Sequence, residues 1–162
     1  MILHDSNRIE RTLKRMSYQI LEEAQESGIR LIGLNSRGLA VANRIKKHLE
    51  HATGKKVPVS NIKSDTDTPF TFSEKPDKNE TLVIIDDVIF SGISMHRAIS
   101  KIPELSEFKK VFIAVLVDRG HRTLPILASI VGVDIPTKLN EHIELRLKNN
   151  EPDQIVLLKN KF

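Results

Sequence analysis

The chain has 162 residues, 40% of them hydrophobic, with 25 lysines and arginines against 21 acids for a formal charge of +4. That length suits one domain able to bury a core without covalent staples, and the absence of cysteine excludes a disulfide framework, a thiolate zinc site and thiol catalysis. No apolar run approaches the ~20 residues of a membrane span, so a cytoplasmic protein with no membrane partner is expected, and its basicity suits an anionic ligand.

In chain order, Ile9, Leu13, Met16, Ile20 and Ala24 recur at spacings of three and four, the period of a helix with one apolar face. Asp5 or Ser6 stands where a cap is needed. Arg8, Arg11, Lys14 and Arg15 fall on or near the polar side, as a solvated face or as a surface for an anion or RNA. Arg30 to Leu34 is a short apolar run ending at Asn35-Ser36-Arg37-Gly38, and a helical pattern follows from about Leu39 to Glu50. Lys63 to Glu80 is rich in Ser, Thr, Asp, Pro and Lys and poor in residues that fill a core, which predicts a long mobile loop. Phe70 and Phe72 alternate with Thr71 there, as in a small ribbon. Leu82 to Ile85 predicts a buried strand leading to a helix at Met95 to Ile102. Val111 to Val117 predicts another strand, ending in Asp118-Arg119-Gly120. This alternation points to a parallel sheet covered by helices. Finally, Ile143, Leu145 and Leu147 alternate with polar neighbours, and Ile155 to Leu158 follows Asn149 to Asp153, predicting an antiparallel hairpin. The expected organisation is one domain over 1–162 with a mobile lid at about 63–80.

The chemistry concentrates between Thr81 and Met95, where a strand delivers Asp86 and Asp87 and then passes through Ser91-Gly92-Ile93-Ser94 into a helix. Two carboxylates accept hydrogen bonds from a sugar diol or hold a divalent cation through oxygen, and small-residue loop amides at a helix start favour phosphate. Paired acids also mark ordinary solvated strand ends, and Ser-Gly an ordinary turn; the ordered combination favours a phosphate-ester site. Ser36 and Arg37 follow the first strand, where they would bind a second anion, although Arg37 would equally pair with a surface acid. Asp118, Arg119 and His121 would face whatever the sugar carries, or form a hydrogen-bonded turn.

The segment Thr81 to Met95 resembles the phosphoribosyl-pyrophosphate motif of type I phosphoribosyltransferases. Leu31 to Gly38, the Val117-Asp118-Arg119-Gly120-His121-Arg122 segment and Val131 to Thr137 narrow the likeness to the PyrR-like group of pyrimidine-operon regulators and uracil phosphoribosyltransferases. The resemblance implies a type I phosphoribosyltransferase-like α/β fold: a central parallel sheet flanked by helices, a small hood and a C-terminal antiparallel hairpin. It implies transfer of a phosphoribosyl group from phosphoribosyl pyrophosphate to uracil or another nucleobase, with Mg2+ and release of pyrophosphate. Asp86 and Asp87 would hold the ribose hydroxyls and the metal, and with Arg37 they form the catalytic set. Val88, Ile89, Phe90, Ser91, Gly92, Ile93 and Ser94 would wrap the 5-phosphate. Ser36 and Arg37 would meet pyrophosphate, and Asp118, Ile130 and Val131 would line the base pocket. A homo-oligomer, dimer or tetramer, is implied as well.

Three departures from that group carry weight. Ile93 stands where the phosphate loop usually has a basic residue, and the lid from Lys63 to Glu80 contains no arginine. Its cations, Lys63, Lys75 and Lys78, lack the planar fork of a guanidinium. Leu127 and Val133 occupy positions where regulatory members carry basic residues, which weakens RNA as a partner. These features keep open the alternative of a non-catalytic binder of phosphoribosyl pyrophosphate or nucleotides.

Overall fold

In a computed structural model of the chain, which describes residues 1–160, the apolar runs become the strands of one parallel sheet. Positions 161 and 162, the last two of the expected domain, lie outside the described residues. The chain opens with β1 (Ile2–His4), α1 (Ser6–Ala24), β2 (Gly28–Leu34), α2 (Asn35–Thr53) and β3 (Val59–Ile62). It continues through β4 (Glu80–Ile89), α3 (Ile93–Lys101), β5 (Lys110–Asp118), β6 (Ile130–Asp134), β7 (Glu141–Lys148) and β8 (Glu151–Lys159). The main sheet runs β3-β2-β4-β5-β6, every neighbouring pair parallel.

Both faces of that sheet are covered, which is why Leu82 to Ile85 is apolar throughout instead of alternating, and all four side chains are buried. On one face Val83 and Ile85 pack with Leu13 and Met16 of α1 and Val41 and Ile45 of α2. On the other, Leu82 and Ile84 pack with Met95 and Ala98 of α3 and with Phe108. The predicted first helix is α1, capped by the Asp5 side chain, which accepts a 2.9 Å hydrogen bond from the Arg8 amide.

Several boundaries differ from those predicted. Asn35 adopts φ +54°, so the chain passes from strand to helix within one residue, and Asn35-Ser36-Arg37 becomes the first turn of α2 instead of a loop before Leu39. Strand β4 continues through Asp86, Asp87, Val88 and Ile89 because it pairs with β5 as far as Ile89 opposite Asp118. Strands β3 and β6 were not predicted, being short and at the sheet edges.

The C-terminal hairpin is present, and its turn is only Asn149-Asn150, with φ of +54° and +61°, the left-handed pair that a two-residue hairpin favours. Strand β1 adds to β8, giving a separate antiparallel sheet in the order β1-β8-β7. Hood and hairpin are thus one sheet built from both ends of the chain. Ile143, Leu145 and Ile155 seat it on the face covered by α1 and α2.

Among the described residues no strand forms between 63 and 79, so the Phe70–Phe72 segment is not a ribbon. Its aromatics are core-filling after all. The Phe70 and Phe72 rings meet edge-on at 5.0 Å, and Phe72 meets Phe108 at 5.5 Å. The buried Arg30 guanidinium lies 5.5 Å from the Phe72 ring centre, pairs with Glu80 at 2.7 Å and donates to the carbonyl oxygens of Glu74 (2.8 Å) and Lys75 (3.1 Å). The second half of the segment is thus held down by Arg30 together with the Phe72–Phe108 contact.

Candidate active site

Beyond the ends of β2 and β4 lies a cavity of about 250 Å³ lined by Asn35, Asp86, Asp87, Ser91, Ser94 and their neighbours. The acid pair and phosphate loop, expected together from their adjacency in sequence, are joined here by Asn35 of the β2–α2 turn. Crevices at the carboxyl ends of parallel strands are where open α/β sheets bind ligands.

Asp86 is buried, and its Oδ1 accepts a 2.8 Å hydrogen bond from the Asp87 amide. Burial, and next the neighbouring Asp87 charge, push its carboxyl well above the ordinary aspartate range. Asp87 is only half-buried and faces the cavity. The turn of α2 approaches this pair so closely that a Cβ on Gly38 would sit 3.3 Å from Asp86 Oδ1 and 3.0 Å from the Ile85 carbonyl oxygen.

The predicted phosphate segment, Val88 to Ser94, is not one loop. Val88 and Ile89 are strand, only Phe90-Ser91-Gly92 is irregular, and Ile93 and Ser94 open α3. Gly92 has φ +87° at the N-cap, and the Ser91 hydroxyl accepts from the Ile93 amide at 3.2 Å. Neither α2 nor α3 has a side-chain cap or an acid in its first turn, unlike α1 with Asp5. Two helix starts therefore border one cavity, with the Ile93 amide of α3 engaged by Ser91, and each presents partial positive charge.

Ser36 is exposed at the start of α2 but does not line the cavity. The Arg37 guanidinium turns to the hood, where it donates to the Leu145 carbonyl oxygen at 2.9 Å and to the Glu144 carboxylate at 3.0 Å. This is the surface-acid pairing that the sequence left open. Lys63, Lys75 and Lys78, in the segment expected as a lid, do not line the cavity, and Lys78 donates to the Ser106 carbonyl oxygen at 3.0 Å.

The expected base-side trio is spread over different levels of the sheet. Parallel register puts Ile130 beside Ala114 and Val131 beside Val115, whereas Asp118 lies beside Asp134. Val131 is thus three residues, roughly 10 Å, down the strand from the level of Asp118, and Ile130 is buried in the core. The segment that reaches Asp118 is Asp134-Ile135, with the Ile135 amide donating to the Asp118 carbonyl oxygen at 2.9 Å. No pattern in the sequence disclosed this, because β6 is too short to fix its own register by eye.

The segment from Asp118 to Arg122 is a hydrogen-bonded turn. Arg122 grips both Asp118 carboxylate oxygens at 3.0 and 2.7 Å and also reaches the Phe90 carbonyl oxygen at 3.0 Å. Burial opposes ionisation of Asp118, but Arg122 and the Gly120 amide outweigh it and hold the carboxyl below its usual range. Sequence reasoning did not identify Arg119 as a hub. It is buried, stacks over the Phe90 ring at 4.0 Å, and donates to Thr137 Oγ1 at 3.0 Å and to the Glu141 carbonyl oxygen at 2.5 Å. One guanidinium thereby ties the phosphate loop to the hood strand β7.

The phosphoribosyl transferase domain matches residues 2–149 of this chain. The chain belongs to the phosphoribosyltransferase family. It is 33% identical over 183 residues to the bifunctional protein PyrR of Listeria monocytogenes serotype 4b, spanning 99% of this chain and 97% of that protein. A second such protein, from Latilactobacillus sakei, is 34% identical over 171 residues, with 96% of each chain covered. Among solved structures, the hypoxanthine phosphoribosyltransferase of Trypanosoma cruzi superposes with a TM-score of 0.74 at 16% identity, over 99% of this chain and 97% of that one. As a phosphoribosyltransferase, the chain acts by transferring a phosphoribosyl group to a base, and its five-stranded parallel sheet with a separate antiparallel sheet is the type I arrangement.

Proposed function

We propose that the cavity at the ends of β2 and β4 binds phosphoribosyl pyrophosphate with Mg2+ and passes its ribosyl phosphate to uracil, releasing pyrophosphate. The observation that carries this reading is the convergence of Asp86, Asp87 and the uncapped starts of α2 and α3 on one cavity. Uracil is favoured because a relative from Lactococcus lactis, 32% identical over 166 residues, is named a pyrimidine operon regulatory protein.

In this reading the 5-phosphate lies on the amides of Ser91 to Ser94 at the start of α3, with both serine hydroxyls as donors. The pyrophosphate lies at Ser36 and Arg37 on the start of α2. Asp87 accepts hydrogen bonds from the ribose hydroxyls, and Asp86 holds the Asp87 backbone in place through the 2.8 Å bond to its amide. The base sits on the Asp118 side, beside Asp134-Ile135 and not beside Ile130 and Val131. The bond from C1 of the ribose to pyrophosphate breaks as the bond from C1 to the base nitrogen forms. The protein's tasks are to orient the two reactants and to exclude water. Two adjacent carboxylates fit a hard cation that takes its other oxygens from substrate phosphates, and Mg2+ bound there supplies neutralisation of the leaving group.

The test is pyrophosphate release from phosphoribosyl pyrophosphate and Mg2+ across uracil, hypoxanthine, guanine, adenine, xanthine and orotate. Release with uracil that disappears in Asp87→Asn supports the assignment; release that survives Asp87→Asn refutes it. A second reading, a nucleotide-binding regulator without turnover, is favoured by Ile93 in the phosphate loop and by a lid whose lysines do not line the cavity. Calorimetric binding of phosphoribosyl pyrophosphate or of nucleotides with no release for any base supports that reading. RNA is disfavoured by the exposed Leu127, although Arg11, Lys14 and Tyr18 line a basic surface on α1, and salt-independent RNA affinity would exclude it. A cytoplasmic homo-oligomer completes the proposal, with light scattering as its test; no helix among the described residues is long and apolar enough to cross a membrane.

A further inference from the structure

The irregular stretch Phe90-Ser91-Gly92, between β4 and α3, has its carbonyl groups engaged from one side. The Arg119 amide donates to the Ile89 carbonyl oxygen at 3.1 Å, and the Arg122 guanidinium donates to that of Phe90 at 3.0 Å. The Thr123 and Leu124 amides donate to that of Ser91 at 2.9 and 3.1 Å. In a trans peptide the N–H points opposite to the C=O, and the described residues contain no cis peptide bond. The Ser91 and Gly92 amide hydrogens are therefore turned away from residues 119–124. Neither donates to a backbone carbonyl among the described residues, and both residues line the cavity.

One side chain organises this arrangement. Residues 119–129 form neither helix nor strand, so their shape rests on turn and side-chain hydrogen bonds. Besides the Phe90 carbonyl oxygen, Arg122 holds both Asp118 carboxylate oxygens, and its Nε donates to the Ile126 carbonyl oxygen at 2.9 Å. The bond to Ile126 closes residues 122–126 into a turn that lays Ile126 on the loop glycine, where a Cβ on Gly92 would sit 3.1 Å from Ile126 Cγ1. Asp118 Oδ1 also accepts from the Gly120 amide at 3.0 Å. Both oxygens of this carboxylate are thus committed to the turn, and the planar fork of Arg122 matches them as a bidentate pair.

We infer that Arg122 is a positioning residue for the 5-phosphate: it holds the loop carbonyls toward residues 119–124, so that the Ser91 and Gly92 amides face the phosphate. Asp118 acts through Arg122, by fixing its guanidinium, and not by touching the ligand. This rests on the substrate proposed above, which lays the 5-phosphate on those amides.

The test is calorimetric binding to the full chain of two probes for different parts of the donor site, ribose 5-phosphate and pyrophosphate with Mg2+. Wild type should bind both. Arg122→Gln should bind ribose 5-phosphate about tenfold more weakly, the loss of one hydrogen bond to a charged group, while binding pyrophosphate within about twofold of wild type. Arg122→Lys keeps the charge beside Asp118 but not the fork that spans its acceptors. It should show the same selective loss to a smaller degree, and it carries the test if the glutamine variant does not fold. Asp118→Asn should show the loss as well, and the double variant Asp118→Asn with Arg122→Gln should be no weaker than Arg122→Gln alone, because residues acting as one unit are not additive. Equal losses for both probes, or no loss for either, overturn the positioning role of Arg122. Additive losses overturn the action of Asp118 through Arg122. Wild type that fails to bind ribose 5-phosphate overturns the phosphate assignment, and the inference with it, whatever the variants do.

Discussion

Replacing Gly33 with alanine tests whether the site depends on the closeness of β2 to α2. A Cβ built at Gly33 lies 2.6 Å from Leu39 Cα, 2.7 Å from the Gly38 carbonyl oxygen and 2.8 Å from the Leu39 amide nitrogen. All three are backbone atoms, so no side-chain rotation relieves the overlap. Restoring an ordinary carbon–carbon separation of about 3.5–4.0 Å requires the first turn of α2 to move away from β2 by about 1 Å. Overpacking of this kind costs about 1–3 kcal/mol. In a chain of this size each kcal/mol lowers the melting temperature by about 2–4 °C, so a fall of about 5 °C is expected for a mid-range cost. The displaced turn carries Asn35, Ser36 and Arg37, and a misplacement of about 1 Å costs on the order of 100-fold in rate. Calorimetric melting and steady-state pyrophosphate release measure the two effects. Gly38→Ala serves as the graded comparison, since its nearest contact is 3.0 Å and one of its neighbours is the Asp86 carboxylate; it should lose less of both. A Gly33→Ala protein within about 1 °C of wild type and within about twofold in rate refutes the reasoning.

Asp86→Asn should raise the ligand-free melting temperature at neutral pH while lowering activity. Burial and the Asp87 charge raise the folded pKa of Asp86 above its unfolded value, so its contribution to stability is complete below the unfolded pKa and is lost as pH rises through the folded one. The asparagine avoids that loss; the melting gap should close in acid, and a gap that is constant with pH contradicts the assignment. Arg30→Ala leaves Glu80 without its partner, with side-chain exposures of 7% and 21% in the pair, and should cost about 3–5 kcal/mol in urea unfolding. It should also expose 70–80 to proteolysis, whereas an unchanged cleavage rate would show that Phe72 and Phe108 hold the segment alone. Arg119→Lys removes the planar stack on Phe90 and the fork to Thr137 and Glu141. It should raise the KM for phosphoribosyl pyrophosphate more than it lowers kcat, and equal effects on both would argue against a link from Arg119 to the phosphate loop.

What was legible beforehand was whatever depends on local sequence. The α1 stripe, the apolar β4, the Asp86-Asp87 pair and the hairpin alternation are each written in neighbouring residues, and each appears at nearly the expected place. What was not legible depends on pairing at a distance. The three residues of β1 carry no pattern of their own and become a strand only because β8 offers an edge. That Asp134 and not Val131 lies level with Asp118 was hidden for the same reason, since only the β5–β6 register decides which residues share a level. Phe70 and Phe72 were read as a ribbon because alternation is visible in sequence, whereas Arg30 and Phe108, which draw them inward, are about 40 positions away on either side.

Arg37 shows how magnitudes settle what a static contact leaves open. Its bond to Glu144 joins side chains that are 48% and 34% exposed, and exposed pairs of this kind contribute about 0–1 kcal/mol. A hydrogen bond from the same guanidinium to a pyrophosphate oxygen would contribute about 1.5–3 kcal/mol, and the start of α2 adds favourable dipole at the same place. On the proposed function, the pair with Glu144 is a resting position from which a pyrophosphate recruits Arg37, which also gives up its 2.9 Å bond to the Leu145 carbonyl oxygen. The hood would then share in the proposed donor site, because the strand that carries Glu144 and Leu145 is also the strand whose Glu141 carbonyl anchors Arg119. Pyrophosphate drawing Arg37 from the middle of β7 and the 5-phosphate loop held by Arg119 at its first residue would both act on a single strand.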